Sequence, residues 1–168
     1  MTKTKCAFLK MVAGTLLLSP LAQAQNWSTI GSTCQPGSDS IGLYSYSNGT
    51  FQFASGETGK ISARCQVNNP LDTGVPAWNT LTAGFVDPDA HASDYEVQVH
   101  LERVAKSTGT HTVIVTLDSN SYNNTGPTSK SITFTHTFDF TNYSYYVGLV
   151  VLRGDTSFNP GVWFASLK

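Results

Sequence analysis

Residues 95–102 read apolar, polar, apolar, polar without a break: Tyr95, Val97, Val99 and Leu101 alternate with Glu96, Gln98, His100 and Glu102. A period of two places the first set on one face of a β-strand and the second set on the other, and a helix of 3.6-residue period would scatter both. The loop 106–110, which contains Gly109, turns the chain back. Pairing Ala105 with His111 then sets Leu101 against Val115 and Val99 against Leu117. Both strands turn their apolar residues to the same side, and a slip of one residue would undo that agreement.

Two more hairpins read in the same way. In 41–54 the dipeptide Asn48-Gly49 is a favoured two-residue turn; it puts Tyr46 opposite Phe51 and Tyr44 opposite Phe53, with Ser45 against Gln52 on the other face. A turn at Thr141-Asn142 sets Phe138 against Tyr145, Phe134 against Leu149 and Ile132 against Val151. Further strands are expected over 60–67, 80–86 and 162–167, separated by turn-forming clusters such as Asn68-Asn69-Pro70 and Asn159-Pro160-Gly161. About nine short strands with no helical period predict an all-β chain, an antiparallel β-sandwich of jelly-roll-like or immunoglobulin-like kind.

The N-terminal segment is of a different kind. Lys3, Lys5 and Lys10 precede the apolar run 11–18, which is followed by Pro20 and the small-residue pattern Ala22-Gln23-Ala24. This is the layout of a secretory signal peptide cut before Gln25, so 1–24 is expected to be a leader and 25–168 a single domain, secreted or periplasmic. The apolar run is too short to span a bilayer, and no later stretch approaches the roughly 20 apolar residues of a membrane helix. Position 25 is Gln, where lipidation would need Cys, so no lipid anchor is expected. Without the leader, seven Lys and Arg stand against eleven Asp and Glu, a net charge of about −4 that disfavours nucleic acid and anionic membranes as partners.

Cys34 and Cys65 are the cysteines left in that domain, and an oxidising compartment favours their pairing. Closing the loop between them contributes about 3 to 4 kcal/mol through the denatured state. A redox or metal-binding thiol pair would want Cys-x-x-Cys spacing or nearby His, and neither is present.

Trp27, then Cys34-Gln35-Pro36, Tyr44 with the Asn-Gly turn, Cys65, and the Leu101-x-Arg103 and Thr108-Gly109 hairpin together resemble a loose class of small exported bacterial proteins with one disulfide. The resemblance implies a β-sandwich in the envelope or outside the cell. It implies no catalytic residue.

The familiar catalytic signatures are missing: there is no Gly-x-Ser-x-Gly elbow, His-Glu-x-x-His, phosphate loop or dinucleotide fingerprint. Glu96, Gln98, His100 and Glu102 share one strand face, but residues two apart lie about 7 Å from each other, so Glu96 and Glu102 are about 20 Å apart and cannot form a glycosidase pair. A solvated sheet face explains them equally well. His136 falls in the apolar alternation Ile132, Phe134, His136, Phe138, Phe140, where a histidine is expected neutral and hydrogen-bonded opposite Val147. Arg103 and Arg153 end inward-facing strands and are expected at the rim, beside carboxylates. Asp87, Asp89 and Asp94 crowd one loop, an oxygen-rich setting that calcium favours, but their spacing matches no calcium-loop consensus. Acidic turns are common in any case, so no metal and no cofactor is assigned.

Two features suit a binding surface. Ser131, Thr133, Thr135, Thr137 and Asp139 form a hydroxyl row, with Tyr146 expected opposite Thr137; β-propensity alone also produces threonine rows. Trp27, Trp78 and Trp163 offer rings that stack on sugars or anchor a core. The candidate binding residues are therefore Trp27, Trp78, Thr133, Thr135, Thr137 and Tyr146, with no catalytic assignment. The leading expectation is a monomeric, non-catalytic module that binds carbohydrate or an envelope partner. A pilin-like structural subunit is the alternative, though 26–33 lacks the long apolar alternation of a donated strand and the C-terminus lacks a pilin's penultimate tyrosine. A hydrolase built on His91, Asp94 or His136 would need those groups to converge.

Overall fold

A computed structural model describes residues 25–71 and 74–168; the expected leader lies outside the described residues. The described residues form eleven strands: β1 (Trp27–Ile30), β2 (Gln35–Pro36), β3 (Tyr44–Ser47), β4 (Thr50–Phe53), β5 (Gly59–Val67), β6 (Thr80–Val86), β7 (Tyr95–Ala105), β8 (His111–Asp118), β9 (Thr128–Thr133), β10 (Tyr143–Arg153) and β11 (Gly161–Leu167). Two of these, β1 and β2, are too short for a period of two to show in the sequence. Among the described residues no helix is long and apolar enough to cross a membrane.

The strands make two antiparallel sheets packed face to face. One runs β3-β4-β11-β6-β9, with β1 also paired to β11; the other runs β2-β5-β10-β7-β8. The alternation seen in the sequence decides which residues meet between them. Phe51, Phe53, Leu81, Phe85 and Leu167 of the first sheet and Ile61, Val97, Val99, Leu101, Val147 and Leu149 of the second are all buried. The even-numbered residues Glu96, Gln98, His100 and Glu102 of β7 take the outer face, so the sheet has one dry and one polar side.

The N-terminal segment stitches the sheets together. β1 pairs with the second half of β11 (Trp27↔Leu167) while β4 pairs with its first half (Val162↔Phe51), and the 3-10 turn Gly31–Thr33 leaves the sheet at the junction. Only glycine fits there, since a Cβ on Gly31 would run into the Val162 carbonyl and the Phe51 amide. The chain then joins the second sheet as β2 against β5, and the Cys34–Cys65 disulfide closes the crossing with Cα atoms 4.3 Å apart.

The Asn48-Gly49 hairpin has the expected register, Tyr44↔Phe53, Ser45↔Gln52 and Tyr46↔Phe51, and both turn residues take positive φ (50° and 85°). In the second hairpin Val99↔Leu117 and Leu101↔Val115 are as expected, but Ala105 does not pair with His111. A bulge at Ile114 shifts the register to Glu102↔Val113 and Val104↔His111. The third hairpin does not form: β9 pairs with β6 (Leu81↔Ile132) in the first sheet, and β10 lies between β5 and β7 in the second. Phe138 does meet Tyr145, with ring centroids 4.9 Å apart, but outside any strand ladder between 134–140 and β10.

Candidate functional site

The outer face of the second sheet carries a groove of about 640 Å³. Its floor is set by Gly148, at the middle of β10, which pairs with Arg64 of β5 on one side and His100 of β7 on the other. A Cβ on Gly148 would overlap the His100 ring, so the missing side chain is what lets the imidazole lie across β10. One wall is the segment from Gln35 to Asp39, clamped to β5 by the buried Ser40: its Oγ donates to the Ser62 carbonyl (3.1 Å) and accepts from the Ser62 amide (2.7 Å), while Gly37 N–H donates to the same carbonyl (2.9 Å).

Beside the floor, four side chains from three strands form one polar cluster. His100 Nε2 lies 2.6 Å from Glu102 Oε1, His111 Nδ1 lies 3.5 Å from Glu102 Oε2, and the Tyr146 hydroxyl lies 2.5 Å from His111 Nδ1. The Ile114 bulge makes this meeting happen, since partners across a ladder share a face and the shifted register pairs His111 with outward-facing Val104. Glu102 is nearly buried, and burial pushes its carboxyl up. The Tyr146 hydroxyl, then His100, His111 and Arg64, outweigh that push and hold it below its ordinary value. Burial holds His100 below its ordinary value despite the opposing pull of Glu102, so at neutral pH it is a neutral imidazole whose Nε2–H donates to the carboxylate. Burial and then the neighbouring carboxylate raise the Tyr146 hydroxyl far above its usual range, which keeps it protonated. The Arg64 guanidinium lies over the Tyr146 ring, 4.9 Å from its centroid. The arrangement presents donors, acceptors and a half-buried aromatic ring along one shallow surface.

The residues singled out in the sequence are divided between the two sheets. Tyr146 pairs with Gln66 and Glu102 and not with Thr137, and its ring lies under Arg64, which does line the groove. Thr133 ends β9 in the other sheet, and Thr135 and Thr137 follow it, exposed, beyond the strand. Trp78 is 1 % exposed, with its Nε1–H donated to the Gln25 carbonyl (2.9 Å) and Phe138 edge-on at 5.1 Å, which leaves its ring no free face. Trp27 is half-buried on β1, packed at the margin of the core. Of the groove residues, His100 and Glu102 were read as a solvated strand face, while Arg64 and Gly148 were not considered; the glycine within the apolar run of β10 was the available signal.

His136 does not face Val147. Its Nε2 lies 3.1 Å from the Tyr145 hydroxyl and its ring packs on Phe138, with burial and then Arg103 holding its pKa down. His91 Nδ1 meets the Asn120 carbonyl at 2.6 Å, so His91 and His136 serve separate neighbourhoods. Nor do the arginines reach carboxylates. Arg153 is buried and donates to the carbonyls of Phe158, Glu57 and Thr156 (2.7, 2.8 and 3.0 Å), and Arg103 stacks on Tyr143 at 4.5 Å. In the acidic loop Asp87 is buried, which pushes its carboxyl up to about 6. Among the described residues no three His, Cys, Asp or Glu side chains are grouped to hold a metal ion.

The sequence matches no protein-family model and no curated protein. Solved structures share its fold. The xylan-binding module CBM15 superposes with a TM-score of 0.51 at 14 % identity, over 86 % of this chain and 97 % of its own. The CBM36-1 domain of a multidomain xylanase from the hindgut metagenome of Trinervitermes trinervoides gives 0.47 at 11 % identity, over 86 % and 97 %. CBM86, a low-affinity xylan-binding module from Roseburia intestinalis, gives 0.43 at 11 % identity, over 86 % and 95 %. At such identity the likeness to CBM15 is one of architecture, the antiparallel β-sandwich derived above.

Proposed function

We propose that this chain is an exported, monomeric, non-catalytic carbohydrate-binding protein, and that it lays a glycan across Gly148 on the outer face of the five-stranded sheet. The observation that carries this reading is the groove: a strand-centre glycine between Arg64 and His100, flanked by Ser62 and Glu102, with the Tyr146 ring beside it under the Arg64 guanidinium. A sugar offers hydroxyls around its rim and apolar C–H faces, and it is held by fixed donors and acceptors beside an aromatic surface. The cluster is built for holding and orienting, because its carboxylate is already engaged by His100, His111 and Tyr146. Trp27 and Thr133 belong to the other sheet, with Thr135 and Thr137 just past the end of β9, and would form a separate contact. The leader-like segment 1–24 and the closed Cys34–Cys65 bridge support export.

The shared architecture with a xylan-binding module makes xylo-oligosaccharides the first ligands to try, followed by other soluble oligosaccharides. Calorimetric titration should detect binding by the wild type and at least a tenfold loss in Gly148→Val, which displaces the His100 ring from the floor, and in Tyr146→Ala, which removes the ring. Affinity that survives both substitutions would move the site elsewhere. A complete lack of binding across the panel would overturn the reading.

A further inference from the structure

We propose that the groove selects glycans that carry carboxylates, uronic-acid-bearing oligosaccharides, over their neutral counterparts, and that Arg64 and Lys60 receive the charge. This rests on the reading of the groove as the glycan site. The outward row of β5 along the groove is Lys60, Ser62 and Arg64, so two cations stand on one wall about 13 Å apart along the strand. Both charges are felt at the floor, where Arg64 and then Lys60 disfavour the protonated form of His100.

Neither cation is engaged within the protein. Among the described residues the ion pairs are those that Glu102 makes with His100 and His111, and neither the Lys60 ammonium nor the Arg64 guanidinium donates a hydrogen bond. The carboxylates nearby have other partners. Glu102 is held by His100, His111 and Tyr146, and Asp39 Oδ1 accepts from Ser62 Oγ at 3.2 Å. Glu96 lies two strands from Lys60, about 10 Å away, and accepts from Gln98 Nε2. Water alone would satisfy two exposed cations, but Arg64 is also held in place: its guanidinium lies over the Tyr146 ring, 4.9 Å from the centroid. Attraction to the ring fixes the cation and leaves the N–H donors at its rim free. A carboxylate matches that planar fork with two parallel hydrogen bonds, which the hydroxyls of a neutral sugar do not reproduce. The excess of acids over bases in 25–168 is spread over the whole surface and is screened beyond about 10 Å at 0.1 M salt, so the local row decides which glycan is drawn in.

The test is calorimetric titration of the protein with one xylo-oligosaccharide branched by glucuronic acid and with the same compound after reduction of its carboxyl to an alcohol, a pair that differs in charge alone. At about 0.05 M sodium chloride the acid should bind at least about fivefold tighter, the order expected of two exposed charge pairs of which one is bidentate. The ratio should fall towards one in the double variant Arg64→Gln, Lys60→Gln, and also in the wild type at about 1 M salt, where the screening length is about 3 Å. Equal affinities for the two forms at low salt, tighter binding of the reduced form, or a preference that survives the double substitution would overturn the proposal while leaving the groove a glycan site. Binding of neither form would overturn both.

Discussion

At Glu102 a nearly buried carboxylate stays charged because donors from neighbouring strands surround it. Its folded-state pKa is depressed, so its contribution to stability is present above its ordinary value of 4.5 and is lost as pH falls through the folded value. His100, also depressed, acts in the same direction, favouring the fold above 6.5 and less so below. Tyr146→Phe removes one donor and should cost about 1.5 to 3 kcal/mol at pH 7, the range for a hydrogen bond to a charged group. It should also move the acid limb of the stability profile to higher pH; urea unfolding between pH 3 and 7 reads both. Glu102, His100 and Tyr146 were visible in the sequence as outward polar positions, and the strand period explains why. Their convergence with His111 was not visible, because it depends on one extra residue in β8 that no pattern of apolar residues announces.

The elements themselves were legible where local chemistry decides them. Asn48-Gly49 dictates its own turn, so the register of β3 and β4 followed from two residues. The pairing of 132–138 with β10 was misread for a reason intrinsic to sandwiches: two segments whose apolar residues face one core agree in alternation whether they share a ladder or lie in opposite sheets. β10 takes β5 and β7 as neighbours, which satisfies both of its edges. The N-terminal crossing offers two tests at this scale. Gly31→Ala pushes a Cβ into fixed backbone of β4 and β11 and should cost about 1 to 3 kcal/mol by chemical denaturation. Replacing both Cys34 and Cys65 by Ser should lower stability by about 3 to 4 kcal/mol, a fall of roughly 10 °C in the midpoint, while strand content by circular dichroism is retained.

For the molecule as a whole, a glycan present at 100 times its dissociation constant should raise the melting midpoint by about 5 to 10 °C, and Gly148→Val should abolish the rise. The amino-acid sequence alone determined the β class, the inside and outside of most strands, two of the three hairpins in whole or in part, and the disulfide pair. These follow from period-two alternation, turn chemistry and the scarcity of alternatives, all of which act between near neighbours. Only the tertiary structure decided which strands lie side by side, that Gly148 seats the His100 ring beside Arg64, and that Glu102 meets His111 and Tyr146. Those outcomes join residues far apart in the chain, and many pairings satisfy the same alternation. The choice among them rests on packing, edge satisfaction and a single bulge.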